Sequence, residues 1–185
     1  LRNHYIVCGY GRIGRVLCHL IKEETNDIVV VEENEALVTT LEKDRMHYFC
    51  GDAADEDCLL RAGIKNASFL VAALGTDTAN VFLVLTARQL NPDIFILARA
   101  SNPAVQKKLM VAGANMVESP YDTGAISMGL KLLRPSVRSF LDVALSKKNE
   151  GIQIDELYVP SQSKYTNVAL KDSGIRQDFN LIVIS

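Results

Sequence analysis

Val7-Cys8-Gly9-Tyr10-Gly11-Arg12-Ile13-Gly14 joins a short apolar run, Tyr5-Ile6-Val7-Cys8, to a segment of helical period, with G-x-G-x-x-G at the junction. Each glycine has its own task. Gly9 permits a tight turn, Gly11 lets a pyrophosphate approach the backbone, and Gly14 lets helix and strand pack closely, while the helix N-terminus offers free N–H groups to the phosphates. The spacing alone is a weak signal, and its context sharpens it. Ile28-Val29-Val30-Val31 ends on Glu32, 23 residues beyond Gly9, where a carboxylate accepts hydrogen bonds from both hydroxyls of an adenosine ribose. The competing reading is a glycine turn without a ligand and an acid facing water. Glu32-Glu33-Asn34-Glu35 holds no Arg or Lys for a 2′-phosphate, which favours NAD(H) or an adenine nucleotide (ATP, ADP or AMP) over NADP.

Outward from this motif, β-rich runs alternate with helix-period segments up to about Pro120, the pattern of βαβ units around a parallel sheet. Residues 11–24 carry Ile13, Val16, Leu17, Leu20 and Ile21 as a one-faced stripe. Residues 28–31 form an all-apolar strand, and the polar helix that follows turns Ala36, Leu37 and Leu41 inward. Further strands are expected at 46–50, 69–74, 94–98 and 115–118. Helices are expected at 55–62 with Asp55 as cap, from Asp77 as cap to Leu90, and from Asn102-Pro103 to Gly113. Six strands make one Rossmann-type, doubly wound parallel sheet of α/β class over residues 1–120.

Residues 121–133 and 136–147 then read as two helices with no strand between them, and 147–151 as a linker. The stretch 151–185 reads as the start of a small α+β lobe, with strands at 152–159 and 180–184 and a helical turn near 167–174.

The rest of the nucleotide crevice comes from the ends of later strands. Asp52, in Gly51-Asp52-Ala53, either accepts from an adenine amine or is a solvated loop acid. Gly75-Thr76-Asp77 follows the fourth strand, across the switch point where open α/β sheets bind ligands. Thr76 and Asn80 are candidates for ribose or phosphate, with Asp77 either beside them or only a cap. Arg99 ends the fifth strand, aimed into the crevice or held in a structural ion pair.

Composition bounds the alternatives. Of 185 residues, 48% are hydrophobic, 23% charged and 6% aromatic, which is globular and not disordered. The net charge of −2 is far from the basic balance that counterion-driven nucleic-acid binding needs. The longest apolar run spans 69–75, too short to cross a bilayer, so the fragment reads as soluble. Cys8, Cys18, Cys50 and Cys58 form no C-x-x-C pair, and His4, His19 and His47 match no zinc spacing; the thiols are expected to be inert and mostly buried. No catalytic constellation accompanies the nucleotide motif. There is no phosphate-loop lysine motif, no nucleophile elbow, no Tyr with a Lys four residues on, and no His after His47. The expectation is a binding domain, not an enzyme. The alternative is an NAD-dependent oxidoreductase whose substrate domain lies elsewhere.

Taken together, His4-Tyr5-Ile6-Val7-Cys8-Gly9-Tyr10-Gly11-Arg12-Ile13-Gly14, Val31-Glu32, Gly51-Asp52-Ala53, Thr76-Asp77-Thr78-Ala79-Asn80, Ala98-Arg99-Ala100 and Gly113-Ala114-Asn115 leading to Ser119-Pro120 resemble the RCK/KTN (TrkA-N) family. These domains regulate potassium conductance in prokaryotic channels and in Trk- and Ktr-type uptake systems. The resemblance covers about residues 1–147, and 154–160 looks like the opening of the family's C-terminal lobe.

It implies a nucleotide site of Gly9, Tyr10, Gly11, Arg12, Ile13, Gly14, Glu32, Glu33, Asp52, Ala53, Gly75, Thr76, Asp77, Asn80 and Arg99, with Arg12 reaching a phosphate. It also implies pairing of two domains through 121–147, supported by the apolar Ile126, Met128, Leu130, Leu132 and Leu133, and a ring of roughly eight domains. The ring would gate a membrane pore from the cytoplasmic face of the cell membrane. The start at Leu1-Arg2-Asn3 looks like a domain cut from behind such a pore; a separate Trk/Ktr subunit is the alternative. For calcium, Glu156 matches one ligand position of some relatives, but Leu132 and Leu133 stand where carboxylates are needed.

Overall fold

Mostly β-branched and apolar residues form six short strands. They are β1 (Tyr5–Cys8), β2 (Ile28–Glu32), β3 (His47–Cys50), β4 (Phe69–Ala72), β5 (Phe95–Arg99) and β6 (Met116–Glu118). Helices cover both faces of the sheet at its centre, so β1 and β2 are almost wholly buried, whereas the edge strands β3 and β6 are half-buried to exposed. A computed structural model describes residues 1–133 and 159–175. All neighbouring strands pair in parallel, in the order β3-β2-β1-β4-β5-β6. The order reverses beside β1: Cys8 is in register with Val31 of β2 on one side and Ala72 of β4 on the other. That reversal opens a crevice at the strands' C-terminal ends.

Strand alternation divides the core in two. One face gathers Ile6, Cys8, Val29, Val31, Leu70, Ala72, Ile96 and Ala98 against residues of α3 (Glu56–Arg61), α4 (Asp77–Leu90) and α5 (Pro103–Ala112). The other gathers Val7, Val30, Val71 and Ala73 with Cys18 of α1 (Arg12–Lys22) and Leu41 of α2 (Val38–Lys43). Each fully buried Leu, Ile or Val contributes about 1.5–3 kcal/mol over exposure, so the face that carries the glycine loop rests on substantial packing.

Helix ends follow local chemistry. Asp55 caps α3, accepting from the Asp57 N–H. Asn102 accepts from Ala104 and Val105 at 3.0 and 3.1 Å ahead of Pro103, and Gly113 closes α5 at φ 113°. The expected cap Asp77 is a correction: Thr76 caps α4, its hydroxyl accepting from the Ala79 N–H at 3.2 Å. Asp77 is the first helical residue, and its carboxylate instead receives the N–H and hydroxyl of Ser101.

The α1 stripe also differs from expectation. Gly14 and Cys18 are its buried line, flanked by half-buried Ile13, Leu17 and Ile21, whereas Val16 and Leu20 are 58% and 53% exposed. The cause is rotation. Gly14 must meet the strand, and positions two further along lie roughly 200° away on a helix of about 100° per residue. Ala36, expected inside, is exposed in a 3₁₀ turn, Glu35–Leu37, that precedes α2; Leu41 is fully buried as expected.

α6 (Pro120–Leu133) follows β6, and its Ile126, Met128, Leu132 and Leu133 are exposed while Leu130 is half-buried. The chain forms two compact units, Leu1–Gly129 and Leu130–Ser185. In the second, a 3₁₀ turn at Leu170–Asp172 lies within the expected helical stretch. The expected helix 136–147, linker 147–151, strand 180–184, all but Val159 of the strand 152–159, and Glu156 lie outside the described residues. No helix among the described residues is long and apolar enough to cross a membrane.

Candidate functional site

The glycine loop is built as its spacing requires. Gly9 sits at φ 95°, and a Cβ there would lie 2.7 Å from the Ala73 carbonyl oxygen, so only glycine lets the loop pass the end of β4. A Cβ on Gly14 would collide with the Gly9 carbonyl, so α1 and β1 touch backbone to backbone. Gly11 differs from both: nothing lies within 4 Å of where its Cβ would be. It stands at the N-cap of α1 with no side-chain hydrogen bond, and the first turn holds no acid. The first-turn N–H groups and their partial positive charge therefore face an open space. Arg12 is exposed on that same turn.

Glu32, the last residue of β2, is 8% exposed. One carboxylate oxygen accepts from the Tyr10 N–H in the glycine loop, and the other from the Asn34 N–H at 2.8 Å. Both oxygens are thus held in place beside the loop. Each keeps a lone pair, the acceptor set that a ribose diol requires. Its neighbour Glu33 is exposed. The Glu32 carbonyl accepts from the Gly51 N–H at 3.0 Å, which brings the end of β3 alongside. There Asp52 is exposed and folds its own turn by accepting from Ala54 at 2.8 Å, while Ala53 is buried.

Across the crevice, Arg99 donates to the Gly75 carbonyl at 3.4 Å, while its buried Nε has no partner among the described residues. Gly75 is exposed with open space at its Cβ position. Asn80, expected to face ligand, is a correction. It is 0% exposed, its Oδ1 accepts from the Leu74 N–H at 2.9 Å, and its amide donates to the Leu74 and Arg99 carbonyls. It ties the ends of β4 and β5 together. Asn80→Ala should leave these buried backbone groups unpaired and cost about 1–3 kcal/mol, lowering the thermal midpoint by roughly 2–12 °C; differential scanning calorimetry checks this.

Two motif side chains also turn away from the crevice. Ile13 packs against the α1-side core. Tyr10 is 1% exposed and donates its hydroxyl to Asp44 at 2.8 Å. Arg15 grips the same carboxylate at 2.8 and 3.2 Å, His19 stands 3.5 Å from it, and Lys22 donates to the Asp44 carbonyl at 2.7 Å. Asp44 was invisible in the sequence, since no spacing rule links it to Tyr10.

Arg15 foremost holds the Asp44 carboxyl below its ordinary value. A depressed folded-state pKa stabilises above the unfolded value, about 3.9, and that stabilisation is lost as pH falls through the lower folded value. Asp44→Asn should therefore flatten the acid limb of the stability curve below about pH 4, read by urea unfolding at stepped pH. The neighbouring thiols are quiet: burial pushes Cys18 up to about 12 and Cys8 higher still. Cys8, Cys18 and Cys58 are buried, whereas Cys50 is exposed.

An uncapped helix start, open space at Gly11 and Gly75, a fixed carboxylate and an orphaned Arg99 Nε fit an adenosine ribose with its phosphates.

Residues 5–120 match the model of the TrkA-N domain. The chain is 39% identical over 183 residues to a protein of Methanocaldococcus jannaschii named probable potassium channel protein 2, a match covering 95% of this chain and 53% of that protein. It spans about half the length of the curated channel proteins it matches. Among solved structures, the TrkA-N domain of the Escherichia coli inner membrane protein ybaL superposes with TM-score 0.66 at 30% identity, over 72% of this chain and 98% of that one. The GsuK channel bound to NAD superposes with TM-score 0.58 at 30% identity, over 65% of this chain and 22% of that one. With the six-stranded parallel sheet and the glycine loop at its reversal point, these matches establish that the chain belongs to the TrkA-N domain family.

Proposed function

We propose that this chain is the nucleotide-sensing regulatory domain of a potassium channel, acting from the cytoplasmic face of the membrane and binding NAD(H) or an adenine nucleotide. The observation that carries the reading is Glu32. Its carboxylate is held by two backbone N–H groups beside an uncapped helix N-terminus, an arrangement suited to a ribose diol and its phosphates. The likeness to a channel bound to NAD supports the dinucleotide first. Gly9, Gly11 and Gly14 shape the phosphate cradle, and the α1 N–H groups with Arg12 and Arg99 supply positive charge. Glu32 and Glu33 make the ribose side acidic, Asp52 and Ala53 border the adenine, and Gly75, Thr76 and Asp77 line the far wall.

The chain senses and does not transform its ligand, in keeping with a sequence that has no acid–base pair beside the motif. Domains pair through 121–147, into a ring of roughly eight. A ligand moves such a ring only by binding one arrangement more tightly than the other. A tenfold preference at each site is worth about 1.4 kcal/mol, so roughly eight sites sum to about 11 kcal/mol, enough to reverse a pore equilibrium.

Titration calorimetry of the chain with NAD, NADH, ATP, ADP and AMP tests the first step. Heat of binding by any of them at up to about millimolar ligand is expected, and silence from all five refutes the sensor. Bilayer recording of the full-length protein, with and without the tightest ligand, tests the gating step; unchanged open probability refutes it.

A further inference from the structure

The glycine loop sets Tyr10 between two residues that carry no side chain to anchor them. Gly9 lies at φ 95° and Gly11 has empty space around its Cβ position. Gly9 is held by its N–H to the Val31 carbonyl and by the Ala73 backbone beside it, so the freedom left in the loop lies toward Gly11, and Tyr10 is the residue that restrains it there. Tyr10 is held over its whole length: its ring is buried in the cluster of Val7, Cys18, Leu41 and Met46, and its hydroxyl donates to Asp44. Asp44 is itself gripped by Arg15 from α1, the helix that the same loop begins. The path from the tyrosine hydroxyl through Asp44 and Arg15 along α1 thus closes on the loop. At the other end of Tyr10, its backbone N–H donates to the Glu32 carboxylate.

We propose that Tyr10, anchored by Asp44, is a positioning residue for ribose recognition: it sets the loop N–H that orients Glu32 without touching the ligand. This rests on the reading that Glu32 receives the ribose hydroxyls, and it adds a residue whose side chain points away from the site.

The physical content is a split between two ligands. Tyr10→Phe keeps the buried ring and removes only the hydroxyl. The loop then shifts against its glycine flanks, and the Glu32 oxygens lose their fixed bearing. ADP, which presents both ribose hydroxyls, should bind roughly five- to twentyfold more weakly, a part of what one hydrogen bond to a charged group contributes, because the bond is misaligned and not removed. 2′,3′-Dideoxy-ADP presents neither hydroxyl, and its affinity for the two proteins should agree within about twofold. Asp44→Ala, which removes the acceptor of the Tyr10 hydroxyl, should show the same split. Because both changes cut one link, the double variant should be no weaker toward ADP than the worse single variant.

Calorimetry on the 185-residue chain supplies these constants, and hydrogen exchange at the residue-10 amide, without ligand, is measured alongside. Exchange should be about tenfold faster in Tyr10→Phe, as the amide loses its steady acceptor. Equal weakening toward both nucleotides would mean general loosening and would overturn the proposal, as would unchanged ADP affinity in Tyr10→Phe. If the unsubstituted chain binds neither nucleotide, the ribose-site reading itself fails. The exchange arm then still decides the anchor: faster exchange sustains it, and unchanged exchange removes it.

Discussion

Gly11→Val is expected to raise the dissociation constant for ADP by at least about a hundredfold while moving the thermal midpoint by no more than about 3 °C. Gly14→Ala should act on the fold instead, lowering the thermal midpoint by roughly 6 °C or more. The two glycines stand three residues apart in one motif, yet their surroundings are opposite. Beyond its own chain neighbours, no heavy atom lies within 4 Å of where a Gly11 Cβ would be, and its backbone sits at φ −69° and ψ −166°, which valine adopts without strain. The isopropyl group therefore enters space that the protein does not use. If phosphates use it, the substitution and the ligand compete for the same volume.

A methyl group on Gly14 instead meets the Gly9 carbonyl oxygen, a backbone atom that cannot swing aside. Relief requires α1 to lift from β1, at a cost at or above the upper end of the usual 1–3 kcal/mol of overpacking, about 3 kcal/mol or more. Circular dichroism beside calorimetry separates the two outcomes. Wild-type ADP affinity in Gly11→Val would mean that nothing docks at the first turn of α1.

The sheet was readable from the chain because its strands are short, apolar and punctuated. All six appear within two residues of the expected bounds, and the order reversal falls beside β1. What periodicity could not supply was the rotation of a helix about its own axis. In α1 five apolar positions satisfied a one-faced stripe, but the backbone contact at Gly14 turned Val16 and Leu20 outward. Roles at the crevice divided in the same way. Glu32 was legible because its place at the end of β2 follows from chain order. The inward turn of Asn80, the Ser101 contacts of Asp77 and the Asp44 anchor of Tyr10 depend on pairings across 19 to 34 positions. No local pattern encodes such a pairing, because the chemistry of an amide or a hydroxyl is the same whether it meets ligand or backbone.

Glu32→Ala should fail in two measurements at once, which distinguishes a ligand carboxylate from a merely solvated one. The first is affinity: losing hydrogen bonds between the ribose hydroxyls and a charged acceptor weakens ADP by about 1–3 kcal/mol, or roughly 5- to 150-fold. The second is stability. The Tyr10 and Asn34 N–H groups both donate to this side chain at a largely buried position, and alanine leaves them unpaired at about 1–3 kcal/mol each where water cannot enter. The thermal midpoint should fall by roughly 4–24 °C.

Glu32→Gln separates the contributions. Its single carbonyl oxygen can accept from one of the two N–H groups, but its NH₂ then faces the other donor, so stability should fall by less than in alanine yet not recover. Its amide can still donate to a ribose oxygen, so ADP affinity should lie between the parent and Glu32→Ala. A Glu32→Ala chain that melts early but binds ADP as tightly as the parent would confine Glu32 to holding the glycine loop, and the ribose would have to be read elsewhere.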